Sequence, residues 1–279
     1  MRFAIAALVA ALFLAGLLSS SKTGQADTVP PRYLSLGDSL AVSIQPDARG
    51  HDRGTSNGFS ERVWRARAAR SPNLTLVKLG RGGETASSMI KSSRPGPSQL
   101  ELAEQQLHAG SVPLVTIDIG ANEVEGCQSG SGFDGACVQR GLASLRRSLP
   151  QIIDRLRAAG GPSVKIIGVN YYNSFLGRWV TGAAGRRLAL ASVPVERAIN
   201  ATLAQIYARA HVPVADVESS FRTRALSSHV NTRAFGRVPV AVANTCQWTW
   251  ACSDGYDDHT NSRGYRVIAL SVLAALRAP

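Results

Sequence analysis

The stretch YLSLGDSLAVS, residues 33–43, runs an apolar segment straight into Gly37-Asp38-Ser39. Its first four residues have the length and character of a buried strand, and Gly37-Asp38 breaks the run, so Ser39 stands where the chain must turn. A Gly-Asp-Ser turn is also a good strand-to-helix cap, so this serine alone decides little. What surrounds it decides more.

Four further short apolar runs follow, at 74–79, 114–119, 164–169 and 212–217. With 33–36 they make five candidate strands of the kind buried on both faces in parallel sheets. Between them, residues 58–69, 99–108, 142–159 and 193–210 carry apolar side chains three and four apart, as amphipathic helices do, and 268–276 suits a closing helix. The alternation predicts right-handed crossovers and an α/β fold with helices on both faces of the sheet. Ligands gather outside the carboxyl ends of such strands, and there lie Ser39, Gly80 to Gly83, and Gly120 to Asn122. The segments 171–193 and 221–251 read as irregular insertions over that edge.

The chain opens with Arg2 ahead of an apolar run ending near Leu18, too short for a stable span, and Gly24 and Ala26 suit cleavage after Ala26. Residues 1–26 therefore read as a signal peptide and 27–279 as a single secreted domain. Four cysteines fall into two close pairs, Cys127 with Cys137 and Cys246 with Cys252, and in an oxidising compartment two local disulfides are expected. A zinc site is the rival reading, but neither pair has CxxC spacing. The net charge of +12 would favour anionic lipid or acidic wall polymers. Its carriers are scattered arginines, with lysine only at 22, 78, 91 and 165, which speaks more for composition than for a patch. No nucleic-acid motif is present, and a monomer is expected.

A serine hydroxyl becomes a nucleophile when a base, an acceptor orienting that base, and oxyanion donors converge on it. Of the five histidines, His51, His108, His211, His229 and His259, the last sits in SDGYDDHTNSRGYRVIA, a loop entering a terminal helix. The run KLGRGGETA offers the Gly83 N–H and DIGANEVEGC the Asn122 carboxamide as neutral donors, though each run alone could be turn chemistry.

Together the blocks GDSL at 37–40, Gly83-Glu84-Thr85, Gly120-Ala121-Asn122 and Asp257-Asp258-His259 resemble the SGNH hydrolases, the GDSL esterase/lipase family, across nearly all of the mature chain. The resemblance implies a three-layer α/β/α sandwich with a five-stranded parallel, flavodoxin-like sheet. It also implies a serine esterase or lipase needing no metal or cofactor, with Ser39 as nucleophile, His259 as base, and oxyanion donors from Ser39, Gly83 and Asn122. The family spacing Asp-x-x-His is broken, because Tyr256 stands three before His259. Asp257 is then the expected orienting acid, with the Tyr256 carbonyl or Asp254 as alternatives. Trp248, Trp250 and residues 171–180 would line an acyl pocket or pack beneath a disulfide loop. A carbohydrate O-acetylesterase on the same fold, and a binding protein on a dead scaffold, are the competing expectations.

Overall fold

The computed structural model describes residues 29–277, so the expected signal peptide lies outside the described residues. Five parallel strands form the central sheet: β1 Arg32–Gly37, β2 Thr75–Lys78, β3 Leu114–Asp118, β4 Lys165–Val169 and β5 Val214–Ala215, in the order β2-β1-β3-β4-β5. Chain direction of growth reverses between β1 and β3, and loops leaving their carboxyl ends diverge there to open a crevice.

The helices are α1 Ser39–Val42, α2 Phe59–Ala68, α3 Ala86–Ile90, α4 Gln99–His108, α5 Asn122–Glu125, α6 Gly135–Gly160, α7 Ala183–Arg209, α8 Val217–Phe221, α9 Val240–Trp248 and α10 Ser262–Ala275. Packing pairs α10 with α2 and α8, and α6 with α3, α4 and α7, which gives the expected three layers. The main core runs through both interfaces, with Leu34, Leu36, Val115, Ile117 and Ile167 fully buried on the strands.

Four boundaries depart from expectation, the simplest being α10, which starts at Ser262, ahead of 268, because Asn261 Oδ1 accepts from the Arg263 and Gly264 N–H groups. Helix α6 starts at Gly135, ahead of 142, because Asp134 Oδ1 accepts hydrogen bonds from the backbone of Ala136 and Cys137 and so caps an earlier first turn. Helix α7 starts at Ala183, ahead of 193, and carries Pro194 in its interior. Its added turns bury Leu188, Ala189 and Ser192 beside a 3₁₀ helix at Ser174–Thr181, packing that outweighs the hydrogen bond proline forgoes. Strand β5 is cut to Val214–Ala215, because the Asp216 carboxylate accepts from the Ser219 N–H and starts α8. The two insertions are also ordered. The first holds the 3₁₀ helix; the second holds a hairpin of His229–Thr232 with Gly236–Pro239, followed by α9. Leu176, Ala189, Val238, Ala241 and Val242 give them a small core of their own.

Both disulfides are present. Cys127–Cys137 ties the end of α5 to the start of α6, and Cys246–Cys252 ties α9 to the loop that follows it. Among the described residues no helix is long and apolar enough to cross a membrane.

Gly37 ends β1 opposite Asp118 with φ of 141°, and a Cβ there would stand 2.1 Å from the Asp118 carbonyl oxygen. Gly37→Ala is therefore expected to cost about 3 kcal/mol or more, read as a lower urea midpoint at unchanged slope.

Candidate active site

Ser39 is the first residue of α1, directly past the end of β1. Asp38 shapes this turn: its Oδ1 accepts from the Leu40 N–H at 3.0 Å and its Oδ2 from the Tyr171 hydroxyl at 2.7 Å. The turn is held from the other side by Gln99, whose Oε1 accepts from the Gly37 N–H at 2.6 Å and whose Nε2 donates to the Gly37 carbonyl at 3.0 Å. The Arg81 N–H donates to the same carbonyl. Ser39 is only half-buried, and its hydroxyl has no hydrogen-bond partner among the described residues, so it is fixed in place yet available.

The loop after β2 brings Gly83, with φ of 74°, and the loop after β3 brings Asn122 at the head of α5. Asn122 Nδ2 donates to the Glu84 carbonyl at 2.9 Å, which ties the two loops together and fixes the carboxamide. Ser39 and Asn122 face one cavity; Gly83 is exposed in the adjoining loop.

His259 reaches that cavity from the loop before α10 and is the only histidine lining it among the described residues. Its Nδ1 lies 2.8 Å from Asp257 Oδ1, which also accepts from the His259 backbone N–H at 2.7 Å. Of the three candidate acceptors, Asp257 is therefore the one the structure brings to the imidazole. The loop is braced: the Trp250 N–H donates to the His259 carbonyl at 3.0 Å, and the Tyr172 hydroxyl donates to the Asp258 carbonyl at 2.7 Å. Asn261 caps α10 through the N–H groups of Arg263 and Gly264.

Burial pulls the imidazole toward its neutral form, but the Asp257 hydrogen bond and the charges of Asp258, Asp257 and Asp52 outweigh it and lift its pKa to about 9. Asp52 and Asp258 approach Nδ1 to 3.9 and 3.5 Å. Asp52, Asp257 and His259 also place ligand-type atoms within 4.8 Å of one another. A cation there would have to displace the Asp257 to Nδ1 hydrogen bond.

The cavity, of about 90 Å³, is walled by Tyr171, Tyr172, Phe175, Val195 and Ile199. That volume is several times what one water needs. Of the two expectations for the tryptophans, packing describes Trp248, which lies edge-on against Phe221 at 5.2 Å, while Trp250 borders an adjoining outer cleft with Asp52 and Asp257. Sequence reading missed Asp52 altogether, whereas Tyr172 and Phe175 fall within residues 171–180, one of the stretches expected to line a pocket. The signal for Tyr172 was its place just past β4; Asp52 gave none, being brought in by a short hairpin of Ile44–Pro46 with Asp52–Gly54.

A sheet of this order with a serine, an asparagine and an aspartate-anchored histidine at its switch point defines a GDSL-type hydrolase. The sequence model of the GDSL-like Lipase/Acylhydrolase family matches residues 35–267, and the chain belongs to that family of ester hydrolases. Solved structures share the fold. An extracellular lipase from Streptomyces rimosus is 17% identical with a TM-score of 0.55, covering 88% of this chain and 99% of its own. A single-site variant of an acetyl xylan esterase from Geobacillus stearothermophilus is 17% identical with a TM-score of 0.50, covering 88% and 94%. No curated protein matches the sequence significantly.

An NMR titration of His259 is expected to give a midpoint of about 9, and Asp52→Asn to lower it. Because the folded value is raised, this group's contribution to stability is complete below its unfolded pKa of about 6.5. It is lost as pH climbs through about 9.

Proposed function

We propose that the protein is a secreted serine esterase or lipase in which Ser39 attacks the ester carbonyl and His259 takes its proton. The observation that carries this reading is the anchoring of His259 Nδ1 by Asp257, which leaves Nε2 as the working nitrogen in a cavity shared with Ser39 and Asn122. Asp257 holds the tautomer and stabilises the imidazolium that forms. The developing oxyanion is met by the N–H groups of Ser39 and Gly83 and by Asn122 Nδ2, whose other hydrogen is committed to the Glu84 carbonyl and so fixes its aim. The imidazolium returns its proton to the leaving alcohol, and water repeats the sequence to release the acid.

The apolar walls around Tyr172, Phe175 and Val195 suit the acyl part of the substrate. Secretion is supported by the two disulfides and by the leader-like residues 1–26.

Two tests apply. Hydrolysis of p-nitrophenyl esters from acetate to palmitate should peak at one chain length, be abolished by Ser39→Ala, and fall on the order of 10²-fold in kcat with Asn122→Ala. Equal rates in wild type and Ser39→Ala would refute the assignment; a peak at acetate would favour the O-acetylesterase form of it. In the pH profile, kcat/KM should rise with pH toward the His259 value of about 9, since only the neutral imidazole accepts a proton, and Asp52→Asn should move that limb to lower pH.

A further inference from the structure

Beneath the Ser39 turn lies a second carboxyl that the proposed chemistry does not use. Asp118, the last residue of β3, is fully buried, and neither of its carboxyl oxygens has a hydrogen-bond partner among the described residues, although the Ala41 N–H in α1 lies close by. Its backbone is fixed, because its carbonyl accepts the Asp38 N–H at 3.1 Å and its register partner is Gly37. The absence of a side chain at Gly37 lets the Asp118 carboxyl lie against the β1 backbone. The group it meets is the carboxyl of Asp38, itself 2% exposed.

Two ionised carboxylates in contact and out of water would repel strongly at low dielectric, so such a pair holds one proton between them. The partners decide which oxygen carries it. Asp38 accepts from the Leu40 N–H and the Tyr171 hydroxyl, both of which favour its charged form, as does the charge of His259. Asp118 has weaker support, because the backbone N–H groups of Ala41 and of Asp118 itself lie near its carboxyl without forming a hydrogen bond of good geometry. The nearby tyrosines offer it none: the Tyr33 hydroxyl is paired with Thr116 at 2.9 Å, Tyr171 donates to Asp38, and Tyr207 donates to the Ile117 carbonyl at 3.4 Å. Glu123, on α5, adds only a carboxyl that burial keeps raised to about 7.

We propose that Asp118 is a positioning residue held as a neutral carboxylic acid, donating its own proton to the Asp38 carboxylate so that a one-proton pair locks the turn carrying Ser39. Asp38 is then bound on three sides, from α1, from Tyr171 and from β3. The role differs from that of Asp257, which acts on the imidazole. Its kinetic consequence rests on Ser39 being the nucleophile, whereas the state of the proton does not.

The test has two arms. In protein carrying ¹³C at its aspartate carboxyl carbons, one resonance should still stand at the protonated position in neutral buffer, well above the ordinary aspartate range. It should be missing from Asp118→Asn. Finding every aspartate ionised at that pH in wild type would overturn the proposal, whatever the enzyme does. In the kinetic arm, Asp118→Asn keeps an N–H donor facing Asp38 and should hold kcat within about threefold, while Asp118→Val should lose about tenfold or more at little changed KM. Equal loss in both variants, or equal retention, would also overturn it. Should the valine variant fail to fold, the resonance in wild type and Asp118→Asn decides. If the protonated resonance is found but no ester is turned over by wild type, the proton pair stands and the esterase assignment falls.

Discussion

Everything at the site depends on how closely β1 approaches β3 at their carboxyl ends. Gly37 and Asp118 are register partners, and the missing side chain at Gly37 makes room for the Asp118 carboxyl and carbonyl beneath the turn. That approach lets the Asp38 N–H extend the sheet's hydrogen bonding by one more residue before the chain swings into α1. The serine is therefore presented by a turn hydrogen-bonded directly to the sheet. Gln99 adds to this from α4 by making both hydrogen bonds with Gly37 that a further strand would have made. Ser39, proposed above as the nucleophile, would on that footing lose little freedom on reaching a reactive geometry, which is where positioned groups gain most of their advantage.

The histidine is held by different means. It comes from a loop, and loops are the mobile part of most folds. Here the loop is bound to the segment 248–252 by backbone hydrogen bonds, that segment is closed on α9 by Cys246–Cys252, and Tyr172 grips the Asp258 carbonyl from the end of β4. The two-residue spacing between Asp257 and His259 works because one carboxylate oxygen of Asp257 serves both the backbone and the ring of His259. Tyr256, at φ of 38°, takes the left-handed turn that swings Asp257 into this position. Arg178 stacks on the Tyr256 ring at 3.3 Å and covers it.

The sheet was legible in the sequence because strands buried on both faces read as unbroken apolar runs, which few other structures imitate. Helix starts were legible in part: α2 and α4 begin at or beside the expected residues, whereas caps at Asp134 and Asn261 set earlier starts for α6 and α10, and the beginning of α7 depends on a 3₁₀ helix that no periodicity announces. Ser39, Asn122 and His259 were legible only jointly, since each alone is ordinary turn chemistry and the resemblance of the blocks taken together singled them out, and the structure does bring these three to one cavity. Gly83 was found by the same reasoning and sits in the neighbouring loop. Tyr172 and Phe175 fall in a stretch for which sequence left wall and packing open, and Asp118 resembled an ordinary strand end. A buried acid is conspicuous only once its lack of partners is visible in three dimensions. The tryptophan pair was left open in the same way, and only its neighbours in space make Trp248 packing.

The insertions after β4 and β5 have a small apolar core apart from the main one. They contribute Phe175 to the cavity wall, while Tyr171, Tyr172, Val195 and Ile199 pack in or against the main core, and Ser39, Asn122 and His259 come from elements outside the small one. Part of the pocket wall is thus carried by a module packed apart from the residues proposed for the chemistry. A lineage can repack the insertions, and so redraw the shape of the acid it accepts, without disturbing the contacts that hold the serine and its base. Such a division makes this scaffold evolvable: drift in the outer module explores new esters while the inner one conserves the reaction.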